Sequence, residues 1–133
     1  MSKKKPFHLT KSELVLMDIL WNSERPLSRP EILERAGSSG DSGIPLSTFH
    51  LMVNNLLEKE YIISVNDPNG RVKKHTRRYA ANVTRNEHYA LQIARSEQFK
   101  PSDIPGIVSS LFRYAGISDT AGMLEEIEKM ARR

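Results

Sequence analysis

The stretch NDPNGRVKKHTRRY, residues 66 to 79, holds five Lys/Arg and one His against a single acid. Like charges crowded on both sides of a tight turn repel one another. Contact with a polyanion relieves that repulsion, because its phosphates take up the cations and release bound counterions. Arg71, Lys73, Lys74, Arg77 and Arg78 are therefore candidate contacts to a duplex backbone. A second candidate set is Ser47, Thr48, His50, Leu51 and Asn54, on the side opposite an apolar stripe. Asn grips adenine through two hydrogen bonds and Leu touches a thymine methyl, so these types suit base edges in a major groove. The same residues would also make an ordinary solvated face with His50 an inert imidazole, and the lack of Arg or Lys between Ser47 and Lys59 favours that alternative.

Catalytic chemistry finds less support. GDSG at residues 40 to 43 matches the nucleophile loop of trypsin-like serine proteases. That chemistry needs a base held by a buried acid and an oxyanion hole on a rigid scaffold, and the chain has too few strands for two barrels. His8, His50, His75 and His88 lack metal-ligand spacing, and there is no Cys. No enzymatic activity, metal or cofactor is expected.

Charge is placed unevenly. The net charge is +4; residues 1 to 83 carry 13 Lys/Arg and 9 Asp/Glu, while residues 84 to 133 carry 7 of each. The excess sits in one half of the chain, as a polyanion-facing surface requires. Lys3, Lys4 and Lys5 read as a solvated tail that adds unspecific attraction. The start of the chain lacks a secretory pattern, no stretch reaches the roughly 18 apolar residues of a membrane span, and absent cysteines fit a reducing compartment. A cytoplasmic protein is expected, with no membrane partner.

The elements that must position these residues follow from caps and periodicity. Thr10 and Glu13 form a capping box opening a first helix to about Asn22, with Leu14, Met17 and Trp21 at i, i+3 and i+7. Ser28 and Glu31 repeat the device for a second helix to Ala36, stopped at Gly37; GSSGDSG, residues 37 to 43, reads as a mobile connector. Ser47 is the expected cap of a third helix whose apolar face is Phe49, Met52, Val53, Leu56 and Leu57. YIISVN is a strand, Asp67-Pro68-Asn69-Gly70 a type I turn, and a second strand runs to Tyr79, making a β-hairpin. Thr84 and Glu87 open a fourth helix toward Phe99. Ser102 is expected to cap a fifth, ended by Gly116, and Ser118 to start a sixth with Glu125/Lys129 and Glu128/Arg132 pairs.

Three short helices followed by a hairpin is the order of a winged helix-turn-helix, with the hairpin as wing and the third helix in the major groove. The expected fold is mainly α with a small β-hairpin: a winged-helix DNA-binding domain over residues 1 to 83, then a helical dimerisation domain over 84 to 133. Ile104, Ile107, Val108, Leu111, Phe112, Leu124, Ile127 and Met130 form stripes on the last two helices. So short a segment rarely buries enough surface alone, and pairing with a second copy is the expected solution.

LTKSELVLMDILWNSERPLSRPEILERA, STFHLMVNNLLEKEYI and RRYAANVTRNEHYALQIA resemble the penicillinase-repressor (BlaI/MecI/CopY) family of winged-helix regulators from Leu9 onward. The more specific pieces are E-x-x-x-M-x-x-x-W in the first helix (Glu13, Met17, Trp21) and L-x-x-K-E-x-I (Leu56, Lys59, Glu60, Ile62) after the third. The resemblance implies a sequence-specific transcriptional repressor binding an inverted-repeat operator in double-stranded DNA as a homodimer. A regulatory protease is a further implied partner. This sequence departs from the metal-responsive branch in having no Cys, and from the β-lactam-responsive branch in having Leu111-Phe112 where an Asn-Phe bond is cut. The alternative is a winged-helix protein-protein adaptor or RNA-binding module without an operator.

Overall fold

The computed structural model describes residues 8–38, 44, 46–65 and 77–132. The chain is mainly helical with one small antiparallel sheet, and divides into two compact units, Met1–Arg95 and Ser96–Arg133. The first holds α1 (Lys11–Trp21), β1 (Leu27–Ser28), α2 (Arg29–Ser38), a 3-10 turn (Leu46–Thr48), α3 (Phe49–Glu58), β2 (Ile62–Val65), β3 (Arg78–Ala81) and α4 (Arg85–Ala94). The second holds a 3-10 turn (Pro101–Asp103), α5 (Ile104–Tyr114) and α6 (Thr120–Ala131). Sequence reasoning ends the first domain after Val83, whereas α4 is part of the first compact unit.

Both Thr-Glu capping boxes form as expected. Glu13 and Glu87 accept from the backbone N–H of Thr10 and Thr84, whose hydroxyls accept in return. The face of α1 that turns inward differs from the expected one: Leu16, Met17 and Leu20 are buried while Leu14 is exposed. Glu13 occupies the middle of that buried face, so a stripe drawn through apolar residues alone is rotated away from the true one. Phe49, Met52, Val53 and Leu56 of α3 complete the core with Ile32, Leu27, Tyr61 and Ile62.

Several caps move. Residues 46–48 tighten into the 3-10 turn, so Ser47 lies inside it and Thr48 is the N-cap of α3, without a side-chain cap bond. Similarly Ser102 lies within a 3-10 turn, with the Asp103 carboxylate accepting from the Lys100 N–H at 3.1 Å. Asp119, rather than Ser118, caps α6 by accepting from Gly122 N–H at 3.0 Å. Helix α2 continues through Gly37 to Ser38, and α4 stops at Ala94 instead of running toward Phe99, since residues 94–98 are all exposed and leave nothing to bury. The rest of the Gly-Ser connector with its GDSG, the Asp67–Gly70 turn, His75 and the three N-terminal lysines lie outside the described residues.

Strand β1 is only two residues between prolines, too short for a side-chain period to reveal. It pairs with β3 (Leu27 with Tyr79, Ser28 with Arg78), and β3 pairs with β2 (Ile62 with Ala81, Val65 with Arg78), giving the order β1-β3-β2. So short a strand exists only because β3 offers it an open edge.

Helix α3 ends in a Schellman turn: the N–H of Tyr61 reaches Leu56 O at 2.9 Å and that of Glu60 reaches Leu57 O at 3.0 Å. Its left-handed position is Glu60, at φ 64°, where glycine is the usual occupant. The α5 terminus uses the same bonds from Gly116 and Ile117, with Gly116 at φ 76°.

Helix α4 is held against the rest of the first unit by an aromatic cluster. Trp21 Nε1 donates to Val83 O at 2.7 Å, and the Arg85 guanidinium lies 5.1 Å from the Trp21 ring centre. His88 is buried, with Nδ1 2.9 Å from the Tyr61 hydroxyl and its ring 5.7 Å from that of Trp21. Burial pushes the His88 imidazole below its usual pKa, opposed by the Asp18 carboxylate, and raises the Tyr61 phenol. A neutral ring with its proton on Nε2 and a phenol donating to Nδ1 satisfies both shifts.

Two expectations follow. Glu60→Gly should raise the unfolding free energy by about 0.5–1 kcal/mol in urea titrations, because it removes a side chain from a left-handed position. A depressed imidazole pKa means the unfolded chain binds the proton first as pH falls below about 6.5. Stability should therefore be full above that pH and decline as pH falls further, and His88→Gln should remove that component of the decline.

Candidate nucleic-acid interface

Helix α3 turns one face into the core, and the spacing that buries Phe49, Met52, Val53 and Leu56 presents His50, Leu51 and Asn54 to solvent. Leu51 is 61% exposed. Ser47 and Thr48 are exposed in the preceding turn, the Thr48 hydroxyl lying 4.0 Å from Met52 Sδ. The proposed base-reading residues thus share one accessible surface.

Of the hairpin cations, Arg71, Lys73 and Lys74 lie outside the described residues. Arg77 is exposed just before β3 and makes no ion pair with another described residue. Arg78, on β3, is already engaged: its guanidinium meets the Glu31 carboxylate at 3.1 Å.

Glu31 belongs to the first turn of α2 and does three things at once. It accepts from the Ser28 N–H at 2.8 Å as part of the cap, from Arg78, and through its other oxygen from Arg25 at 2.9 Å. The hydrogen bond from Arg25, then the Ser28 N–H, hold its carboxyl down at about 2. It is a carboxylate at every physiological pH. One residue before Pro30, Arg29 reaches 3.2 Å from His50 Nε2 on α3, an arrangement in which that nitrogen accepts.

The first turn of α2 is consequently where four elements meet. The loop before β1 contributes Arg25, α2 contributes Arg29, α3 contributes His50 and β3 contributes Arg78. Sequence reasoning singled out His50 and Arg78 but missed Arg25 and Arg29. The signal was present as two Arg-Pro pairs flanking Leu27-Ser28, yet neither arginine belongs to a charge run, and only the β1–β3 pairing brings them to the hairpin.

In the second unit, none of the described residues is buried. Ile104, Leu111, Leu124, Ile127 and Met130 are exposed, Leu111 at 57% and Met130 at 66%, while Ile107, Val108 and Phe112 are half-buried. An open groove of about 700 Å³ between α5 and α6 is lined by Pro105, Val108, Phe112, Ile117, Leu124 and Ile127. Lys129 pairs with Glu126 at 3.5 Å rather than with Glu125, and Arg132 with Glu128 at 3.6 Å as expected. No helix among the described residues is long and apolar enough to cross a membrane.

Comparison with protein-family models, curated proteins and solved structures finds no match to this chain.

Proposed function

We propose that this chain is a cytoplasmic winged-helix transcriptional repressor of the penicillinase-repressor type, binding an inverted-repeat operator in double-stranded DNA as a homodimer. The observation that carries the DNA part is the meeting of Arg25, Arg29, His50 and Arg78 at the first turn of α2, beside the solvent-facing side of α3. A helix with accessible Asn and His, flanked by guanidiniums from three other elements, suits a groove bordered by phosphates. The order of helices and strands in the first unit supports the winged helix, with β2 and β3 as the wing. For the family, the support lies in Glu13, Met17, Trp21, Leu56, Lys59, Glu60 and Ile62, which occupy buried, capping or bridging positions of the scaffold.

Homodimerisation is supported by the bare apolar surface of α5 and α6. Below about 40 residues a unit seldom has a core of its own, and Ser96–Arg133 has no buried residue among those described. A two-fold pair would place two α3 helices for two half-sites, which is why the operator is taken to be an inverted repeat. The adaptor alternative draws on exposed Leu46 just before α3 and exposed Leu51 on it, and salt dependence separates the two.

Anisotropy titration of a labelled duplex between 50 and 200 mM salt should give log K falling linearly with log salt, and Arg77→Ala should reduce that slope by about one. Binding that is absent, or indifferent to salt, would rule out the duplex and favour the adaptor. Leu111→Asp should shift sedimentation equilibrium from twice the chain mass to the chain mass and weaken binding to a two-half-site duplex far more than to a single half-site.

A further inference from the structure

We propose that Glu31 restrains duplex binding: its carboxylate holds the Arg25 and Arg78 guanidiniums in the free protein, and duplex phosphates take both over on binding. The inference rests on the DNA-binding reading above and adds Arg25 to the phosphate contacts. Three observations carry it. A single carboxylate bridges two guanidiniums from different elements, Arg25 on one oxygen at 2.9 Å and Arg78 on the other at 3.1 Å. Both pairs are solvated, with about half of the Arg25 side chain and a third of the other two exposed, so these guanidiniums are reachable by an outside anion and the exchange has no large desolvation cost. Finally, the carboxylate cannot be removed by mild acid, because Arg25 and the Ser28 N–H hold it ionised.

The physical consequence is a competition between one carboxylate and several phosphates for the same donors. A guanidinium donates to carboxylate and phosphate oxygens alike. On an arbitrary duplex that fits the surface poorly, Glu31 retains its arginines and affinity stays low. On a well-fitted site, phosphates positioned by the rest of the contact displace it. Glu31 is thus a positioning residue that lowers unspecific affinity, and its second role, accepting from the Ser28 N–H, is separable because an amide oxygen serves equally well.

Glu31→Gln keeps that amide oxygen and removes the charge. Against a random duplex at 150 mM salt it should bind about 3- to 10-fold more tightly than the native protein, the scale of releasing two solvated ion pairs. Its log K against log salt slope should steepen by about one to two phosphates. Adding Arg25→Ala to Glu31→Gln should return much of that gain, whereas loss of the cap alone would lower the melting temperature without steepening the slope. Arg25→Ala in the otherwise native protein, a change on an exposed loop that leaves the cap intact, should weaken binding and flatten the slope by about one. Unchanged or weaker binding by Glu31→Gln, or an unaltered slope in Arg25→Ala, would overturn the inference while native duplex binding stands. Absence of salt-dependent binding by the native protein would instead overturn the underlying reading.

Discussion

The first unit depends on one buried carboxylate. Glu13 is 1% exposed, and its Oε1 accepts from the Thr10 N–H at 2.9 Å and from Lys59 Nζ at 2.8 Å. Lys59 also donates to His8 O at 2.6 Å. A charge so placed is tolerable only with its partners present, so the start of α1 and the end of α3 cannot separate without exposing it uncompensated. Lys59 is followed at once by Glu60 in the left-handed position that turns the chain into β2. The orientation of α3, and with it the accessible face carrying His50, Leu51 and Asn54, follows from where this pair pins the helix.

From that point outward the scaffold is tied in sequence. Tyr61 enters the core directly after the turn, and its hydroxyl meets His88, which brings α4 under Trp21. Trp21 in turn holds the chain leaving β3 through Val83 O. The residues that carry the family resemblance therefore occupy buried, capping or bridging positions. They define a framework, while the accessible surface of α3 and the arginines around α2 lie outside it.

The two units solve burial differently. Among the described residues, every buried apolar side chain of the first comes from residues 16 to 62, whereas the second places apolar side chains along two helices that close over none of them. The Schellman turn at Gly116 brings Phe112 and Ile117 to one groove without making an interior. Two helices bury one another along a single seam, which leaves the rest of their apolar surface open.

Much of this is fixed locally and readable as such. The Thr10, Ser28 and Thr84 caps, the buried stripe of α3 and the stop at Gly116 each arise from residues a few positions apart, where hydrogen-bond geometry and side-chain period act without outside help. What tertiary structure decided involves partners distant in the chain. Glu13 belongs to the core face only because Lys59 arrives 46 residues later to neutralise it. Leu27-Ser28 is a strand only because β3 lies alongside, and Arg25 and Arg78 share a carboxylate only because that pairing sets Arg78 of the central strand beside the first turn of α2. Periodicity and capping report the near neighbours of a residue. The cost of burying a charge, and the position of a cation relative to its counterion, depend on what folding brings from elsewhere.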